Sequence, residues 1–264
     1  SENESQTIDY LIILDSINFC FWNNESERWT IDYNGQRHNG YFALSLALKR
    51  FFEENPGKAS FAYFSKVSFE DFREILEGGE NLFFLEKRWQ IVRGVSRALL
   101  EKFGDSVSFV KSAKHKLSLF VVAVYNELPY FKDVSFYKGE EVFFLKRAQI
   151  LASDIIGTFG GENLGFFEDP DYLTCFADYR VPQILHHLGV LQYSPSLEER
   201  IKNKVLIPQG SEEETEIRAG AVWAIEYFRK ESNLYSFEID WILWNMSQSF
   251  KGMAPYHLTK TIFY

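Results

Sequence analysis

The chain has little of what several large classes of protein require, beginning with cysteine. Its two cysteines, Cys20 and Cys175, are far apart and form no CxxC pair, which excludes a disulfide framework and fits a reducing compartment. No apolar run approaches the ~18–20 residues of a membrane span, and the polar N-terminal segment includes no apolar signal sequence. We therefore expect a soluble, cytoplasmic protein with no membrane partner.

Basic residues are also scarce. The 28 Lys and Arg residues against 37 Asp and Glu residues give a net charge of −9 at pH 7. A protein that follows a nucleic-acid backbone needs a basic face, so this charge disfavours nucleic acid as a partner. A local basic pocket for one phosphate is compatible with it.

The signature motifs of several common chemistries are missing as well. The five histidines show no HExxH spacing, so no metal site is predicted. The chain has no GxxxxGK[ST] and no GxSxG motif, and its glycine-rich stretch 157–165 is not a GxGxxG that follows a strand. These absences disfavour a fold that binds nucleoside triphosphates or dinucleotides, and they disfavour a serine hydrolase.

Aromatic residues, in contrast, are abundant at 17% of the chain, and they build flat slots for planar ligands as well as cores. Alternation around Asn34-Gly35 predicts a β-hairpin over 29–39, and the apolar run 10–14 indicates a buried strand or a helix end. Helical periodicity dominates the rest, over about 41–53, 86–103, 114–127, 140–159, 179–188, 215–231 and 237–246. We expect a mainly α fold with a small β element near the N-terminus. No linker divides residues 1–264, so we expect a single domain, either compact or built as two helical lobes around a cleft.

The segment FADYRVP, residues 176–182, places Asp178 directly before a predicted helix. On local physics alone, an N-cap is the favoured interpretation of this carboxylate. A carboxylate at a helix N-terminus also keeps its negative charge, which suits the stabilisation of a cationic transition state. Phe176 and Tyr179 add aromatic faces beside it.

The last predicted helix offers a second acidic candidate. Its members Asp240, Trp241, Trp244 and Asn245 fall within one arc of about 140° at about 100° per residue. Polar groups interleaved with tryptophans on one arc suggest a planar, hydrogen-bonding ligand. The alternative is an ordinary amphipathic boundary with a solvated Asp240.

Two adjacent basic residues, Lys146 and Arg147, lie within a very apolar predicted helix. A lysine in such surroundings extends its ammonium group to solvent, pairs with a carboxylate or binds an anion. The sequence leaves these three interpretations open.

Taken together, five segments resemble the queuosine salvage protein family, and they occur in order over nearly the whole chain. They are DSINFCFW (15–22), FLKRAQIL (144–151), FADYRVPQILHHLGVLQYS (176–194), EIRAGAVW (216–223) and DWILWN (240–245). The resemblance implies a queuosine 5′-phosphate N-glycosylase/hydrolase with a helical fold related to that of DNA glycosylases. It also implies release of the base queuine from the monophosphate, with ribose 5-phosphate left behind and without a metal or organic cofactor. We expect the protein to act as a monomer.

Roles of individual residues follow from the same resemblance. Asp178 matches the family's catalytic carboxylate, and Phe176 matches the residue that stacks on the base. Lys146 matches an active-site lysine and, with Arg147, is expected to bind the phosphate.

The terminal motif both matches the family and departs from it. Asp240 is expected to hydrogen-bond the edge of the deazaguanine, and Trp241 stands where tyrosine is common and is expected to orient the base by stacking. Asn245 replaces a second aspartate, so the charge that would face the ligand's cationic amine is absent at this position. Family members also carry a base-contacting histidine ahead of the first motif. No histidine precedes Asp15 here, which fits either a short member or a longer natural N-terminus.

Two other classes of function stay open. A glycosylase acting on bases of nucleic acid would share the expected fold, but the net charge of −9 argues against it. A non-catalytic binder of a queuosine-like nucleotide would fit the replacement at Asn245.

Overall fold

The computed structural model describes residues 2–22 and 28–264, and α-helices dominate it. The first helices and hairpin are α1 (Glu2–Ser16), β1 (Thr30–Tyr33), β2 (Gln36–Asn39), α2 (Gly40–Glu54), α3 (Phe61–Phe64), α4 (Phe69–Ile75), α5 (Leu85–Phe103), α6 (Ser106–Ser112) and α7 (Leu117–Glu127). They are followed by β3 (Val134–Tyr137), β4 (Glu140–Phe143), α8 (Lys146–Thr158), α9 (Arg180–His187), α10 (Pro195–Lys202), α11 (Glu212–Lys230) and α12 (Ser236–Ser249). Short 3₁₀ turns at Asn163–Gly165 and Pro170–Tyr172 lie between α8 and α9. The predicted mainly α class is confirmed, whereas the likeness to DNA glycosylases stays a prediction.

Local sequence explains where several elements begin. The predicted hairpin forms as β1 and β2, paired antiparallel, with Asn34 and Gly35 both at positive φ in the turn. Ser68 caps α4 by accepting a hydrogen bond from Asp71 N–H at 3.0 Å, and Ser211 caps α11 in the same way.

The structure narrows one expectation and corrects another. The apolar run 10–14 is not a strand: it lies in the second half of α1 and ends two residues before the end of that helix, so of the two alternatives the helix end holds. The predicted helix over 140–159 begins only at Lys146, because its first residues form β4 of a second hairpin whose turn holds Lys138 and Gly139 at positive φ. Asp133 fixes this switch from strand to helix: its backbone carbonyl accepts from Leu145 N–H and its carboxylate accepts from Lys146 N–H.

The buried apolar side chains form separate clusters, two of which are large. The larger hydrophobic core includes residues of α1, α2, α5, α7 and α8, and a second cluster joins α9, α11 and α12. Ala148, Leu151, Ala152 and Ile155 of α8 are all fully buried, as expected for a helix in the middle of the protein. Of the helices described, none is long and apolar enough to span a bilayer. The division into one domain or two lobes stays a prediction.

A buried ion pair ties the second cluster to the start of α8. Both terminal nitrogens of Arg218 on α11 donate to the Asp133 carboxylate, at 2.9 and 2.7 Å, and its Nε donates to the carbonyl of Ala177 at 2.9 Å. The carbonyl of Ala177 directly precedes Asp178. This network therefore fixes the backbone on both sides of the cavity described next.

Candidate active site

A cavity of about 610 Å³ opens between the segment after α1, the start of α2, and the helices α8, α9 and α12. This volume lies in the ordinary range for small-molecule sites. Six of the seven residues predicted for the site line it, namely Lys146, Phe176, Asp178, Asp240, Trp241 and Asn245. The fold thus brings together three motifs that are distant in sequence.

Asp178 lies immediately before α9, and its carboxylate is held by the backbone of that helix. Its Oδ1 accepts hydrogen bonds from the N–H groups of Arg180 at 2.7 Å and Val181 at 2.9 Å, so the predicted capping contact is confirmed. None of the described residues hydrogen-bonds Oδ2, which leaves this oxygen for a ligand. Burial raises the pKa of Asp178 above its usual range, and the neighbouring Lys146 ammonium opposes that rise.

Asp240 is buried on α12, so the alternative of a solvated carboxylate is wrong. Its Oδ2 accepts from the N–H of Phe176 at 2.9 Å, which joins α12 to the segment before α9. Burial, followed by the nearby charge of Asp178, raises the pKa of Asp240 to about 7. Phe176, Asp178 and Asp240 therefore form one wall of the cavity.

Lys146 is a buried cation among several carboxylates. Its side chain is only 4% exposed, and its Nζ donates to the backbone carbonyl of Asn18 at 3.2 Å. Burial lowers the pKa of this lysine, and the charges of Asp178 and then Asp15 act against that lowering. Of the three interpretations left open by the sequence, extension of the ammonium group to solvent is wrong, and the charges that act on Lys146 are those of carboxylates nearby.

Arg147 does not reach the cavity, which corrects its expected role in phosphate binding. Its guanidinium donates to the backbone carbonyls of Ser16 and Tyr130 and stacks on the rings of Phe19 and Phe131. The side chain is 1% exposed, so a phosphate could reach it only if these contacts broke. Arg147 joins the end of α1 to α8, which is a structural role.

Aromatic side chains surround the mouth of the cavity. The last two residues of the terminal motif, Trp244 and Asn245, lie there. Trp244 packs edge-on against Tyr41, with ring centroids 5.8 Å apart, while Trp241 packs edge-on against Phe237 at 5.1 Å. Asn245 is exposed, and its Nδ2 donates to the carbonyl of Trp241 at 2.8 Å. The amide at position 245 is therefore at the rim rather than deep in the site.

Asp154 and Arg180 are among the cavity-lining side chains that sequence reasoning missed. Asp154 lies eight residues after Lys146, so both fall on the face of α8 that also presents Ile150 to the cavity. A polar residue at this spacing in an otherwise apolar helix was the available signal. Arg180 was part of the FADYR motif, but nothing local indicated that its side chain faces the cavity.

The fold and the site together define a helical protein with an aromatic, acid-lined cavity. The chain belongs to the queuosine salvage protein family, whose sequence profile matches residues 1–264.

Three proteins that are similar to this chain carry the same name. The queuosine 5′-phosphate N-glycosylase/hydrolase of Sphaerobacter thermophilus is 40% identical over 271 residues, which covers 100% of this chain and 83% of that protein. The protein of the same name from Dictyostelium discoideum is 41% identical and is covered to 78%. That from Bos taurus is 29% identical and is covered to 82%.

Proposed function

We propose that this chain is an N-glycosyl hydrolase that releases queuine from queuosine 5′-phosphate. The observation that carries the proposal is a cavity in which the backbone of α9 holds Asp178 while α12 holds Asp240 beside it. The names of the family relatives supply the substrate. The electrostatics of these two acids fit the reaction that those names describe.

The reaction breaks the bond between C1′ of ribose and the base nitrogen. The electron pair leaves with the base, and the ribose becomes positively charged as the bond lengthens. Asp178 stabilises this charge, because its Oδ1 is fixed by two N–H groups and Oδ2 is available to the sugar. Water supplies the hydroxyl group to C1′ and the proton to the departing base, which gives ribose 5-phosphate and queuine.

The base lies against the cavity wall that Phe176, Asp178 and Asp240 form. Asp240 accepts hydrogen bonds from the N–H edge of the deazaguanine, and Phe176 and Trp241 contact its faces. Because burial raises the pKa of Asp240 to about 7, a fraction of this group is protonated near neutral pH and can donate its proton toward the base as negative charge builds up there, after which water restores the proton to Asp240.

The 5′-phosphate requires a cation at the opening, and Arg180 replaces Lys146 and Arg147 in that role. Arg180 lies two residues after Asp178, half-buried at the cavity, with its guanidinium over the ring of Tyr256 at 5.1 Å. Guanidinium groups bind phosphate with paired hydrogen bonds, whereas the buried Lys146 is already surrounded by carboxylates.

The proposed binding of the 5′-phosphate by Arg180 leads to a first prediction. We expect Arg180→Met to lower kcat/KM for queuosine 5′-phosphate about tenfold to thirtyfold and to leave that for the unphosphorylated nucleoside within about twofold. The parent should prefer the monophosphate, because phosphate contacts position the sugar at Asp178. Arg229→Met is the matched control. Arg180 donates to the Gln183 side chain and Arg229 contacts the Glu226 side chain, each three residues away, but Arg229 lies outside the cavity. An equal loss on both substrates would remove Arg180 from the phosphate site.

The proposed function itself is tested by incubating the purified chain with queuosine 5′-phosphate and measuring released queuine by chromatography. Binding without release would favour the non-catalytic binder. We also propose that the chain acts as a monomer on the free nucleotide, in keeping with its net charge of −9. Salt-dependent retention on RNA or DNA, with release of bases from them, would instead favour a nucleic-acid glycosylase.

A further inference from the structure

Asp154 differs from the other two acids of the cavity in having no fixed partner. Asp178 and Asp240 each accept hydrogen bonds from backbone N–H groups. Within residues 2–22 and 28–264, no hydrogen bond or ion pair reaches the carboxylate of Asp154, although the side chain lines the cavity. A carboxylate in this position is a group that a ligand can satisfy.

The carboxylate of Asp154 lies near several other carboxyl groups. The charge of Asp154 raises the pKa of Asp15, which is fully buried on α1, and among the described residues Lys146 is the cation that acts on Asp154. That ammonium group also serves Asp178 and Asp240. Of these four acids, Asp15 and Asp178 also have an arginine nearby, Arg147 and Arg180, whereas within the described residues Asp154 and Asp240 have only the lysine. A cation brought by the ligand would therefore be accommodated beside Asp154.

Asp154 also lies close to the proposed base slot. One helical turn further along α8, a Cβ on Gly157 would approach the indole of Trp241 to 3.4 Å, so the Trp241 ring packs against this end of the helix. Tyr41, whose pKa is raised by burial and by the charge of Asp154, closes the same region from α2. A group attached to a base at Trp241 can therefore reach this carboxylate.

We propose that Asp154 binds the cationic amine on the cyclopentene side arm of the base and thereby selects queuine over an unsubstituted deazaguanine. The inference rests on the proposed function and adds a specificity-determining residue to it. Queuine carries a secondary ammonium group, which pairs with a carboxylate in a charge-assisted hydrogen bond. Asp154 thus supplies, from inside the cavity, the negative charge that Asn245 lacks at the rim.

The protonation of Asp154 supports this assignment. Burial raises its pKa to about 7, against the opposing charge of Lys146. The titratable groups facing it are Asp15 and Tyr10 on α1, Tyr41 on α2 and Lys146 on α8. Near neutral pH the empty site is therefore partly protonated, and a bound ammonium group drives the proton off.

The test compares two ligands that are not hydrolysed, queuine and 7-deazaguanine, by isothermal titration calorimetry. We expect Asp154→Asn to weaken queuine binding about tenfold and to change 7-deazaguanine binding by less than about twofold. Asp15→Asn is the matched control, because it removes a neighbouring carboxylate that does not line the cavity, and it should retain the preference for queuine. Equal losses for both ligands in Asp154→Asn would overturn the proposal.

A second measurement needs no variant and covers the case in which Asp154→Asn does not fold. In buffers of different ionisation enthalpy near neutral pH, queuine should release more protons than 7-deazaguanine on binding to the parent protein, because burial raises the pKa of Asp154. The comparison cancels the contribution of Asp240, which meets the same base edge in both ligands. Identical proton release would refute the role of Asp154. If the parent protein releases no queuine from queuosine 5′-phosphate, the proposed function itself is refuted. The turnover assay therefore distinguishes a failure of the proposed function from a failure of the role of Asp154.

Discussion

Replacing Asp178 with asparagine is expected to lower kcat for queuosine 5′-phosphate by ~10²-fold or more, while the protein still folds and binds queuine. The amide oxygen of asparagine can still accept from the N–H groups of Arg180 and Val181, so the start of α9 survives. What is lost is the negative charge that the ribose requires as the glycosidic bond breaks. Released queuine, measured by chromatography under single-turnover conditions, gives the rate.

The chain offers a matched control for this substitution in Asp169. Its carboxylate caps α7, accepting from the N–H of Ser118 at 3.1 Å and from the Ser118 hydroxyl at 2.7 Å, and it lies outside the cavity. Asp169→Asn should cost about 1 kcal/mol of unfolding free energy and leave kcat unchanged. If Asp178→Asn turns over at close to the parent rate, Asp178 is only a helix cap.

The pH dependence of the parent adds a check on the same residue. Since the carboxylate must be ionised, kcat should fall as the pH drops through the pKa of Asp178. Burial raises this pKa, so the fall should be centred above the ordinary aspartate value of ~4. A rate that stays constant down to pH 4 would contradict the requirement for a buried, ionised Asp178.

The contacts that sequence reasoning predicted well are local ones. Asp178 caps a helix because Arg180 and Val181 are two and three residues away, and the hairpin at Asn34-Gly35 depends on two residues in the turn. The second hairpin was missed because Lys138-Gly139 is a weaker turn signal, inside a segment apolar enough to suggest a continuous helix.

The contacts that decide roles in the site connect distant parts of the chain. Lys146 donates to the carbonyl of Asn18, and Asp240 accepts from Phe176, across 128 and 64 positions of sequence. Such partners determine whether a lysine faces carboxylates or a phosphate, and adjacent positions can differ completely, as Arg147 does. Periodicity assigns a side chain to a helix face, but it does not identify what that face meets.

Lys146→Met gives the second large effect that we expect, a loss of ~10²-fold or more in kcat/KM at pH 7. Methionine keeps the length of the side chain but removes the charge that opposes protonation of Asp178. The pKa of Asp178 should therefore rise further, which moves the acid limb of the pH–rate profile to higher pH and restores part of the rate in alkaline buffer. Rates measured from pH 5 to pH 9 for parent and variant check this shift.

The same variant distinguishes this electrostatic role from phosphate binding, which the family resemblance implied for Lys146. If Lys146 acts on Asp178, the losses on queuosine 5′-phosphate and on the free nucleoside are equal, because both reactions need the same ionised carboxylate. A phosphate ligand would give a loss confined to the monophosphate, as expected for Arg180→Met. Lys146→Arg, which retains the charge, should recover part of the rate and return the acid limb toward that of the parent. Suppose that Lys146→Met lowers kcat/KM for the monophosphate alone and that the acid limb of its pH–rate profile stays where it is in the parent. The phosphate would then bind at Lys146, and Asp178 would have to be kept ionised without that cation.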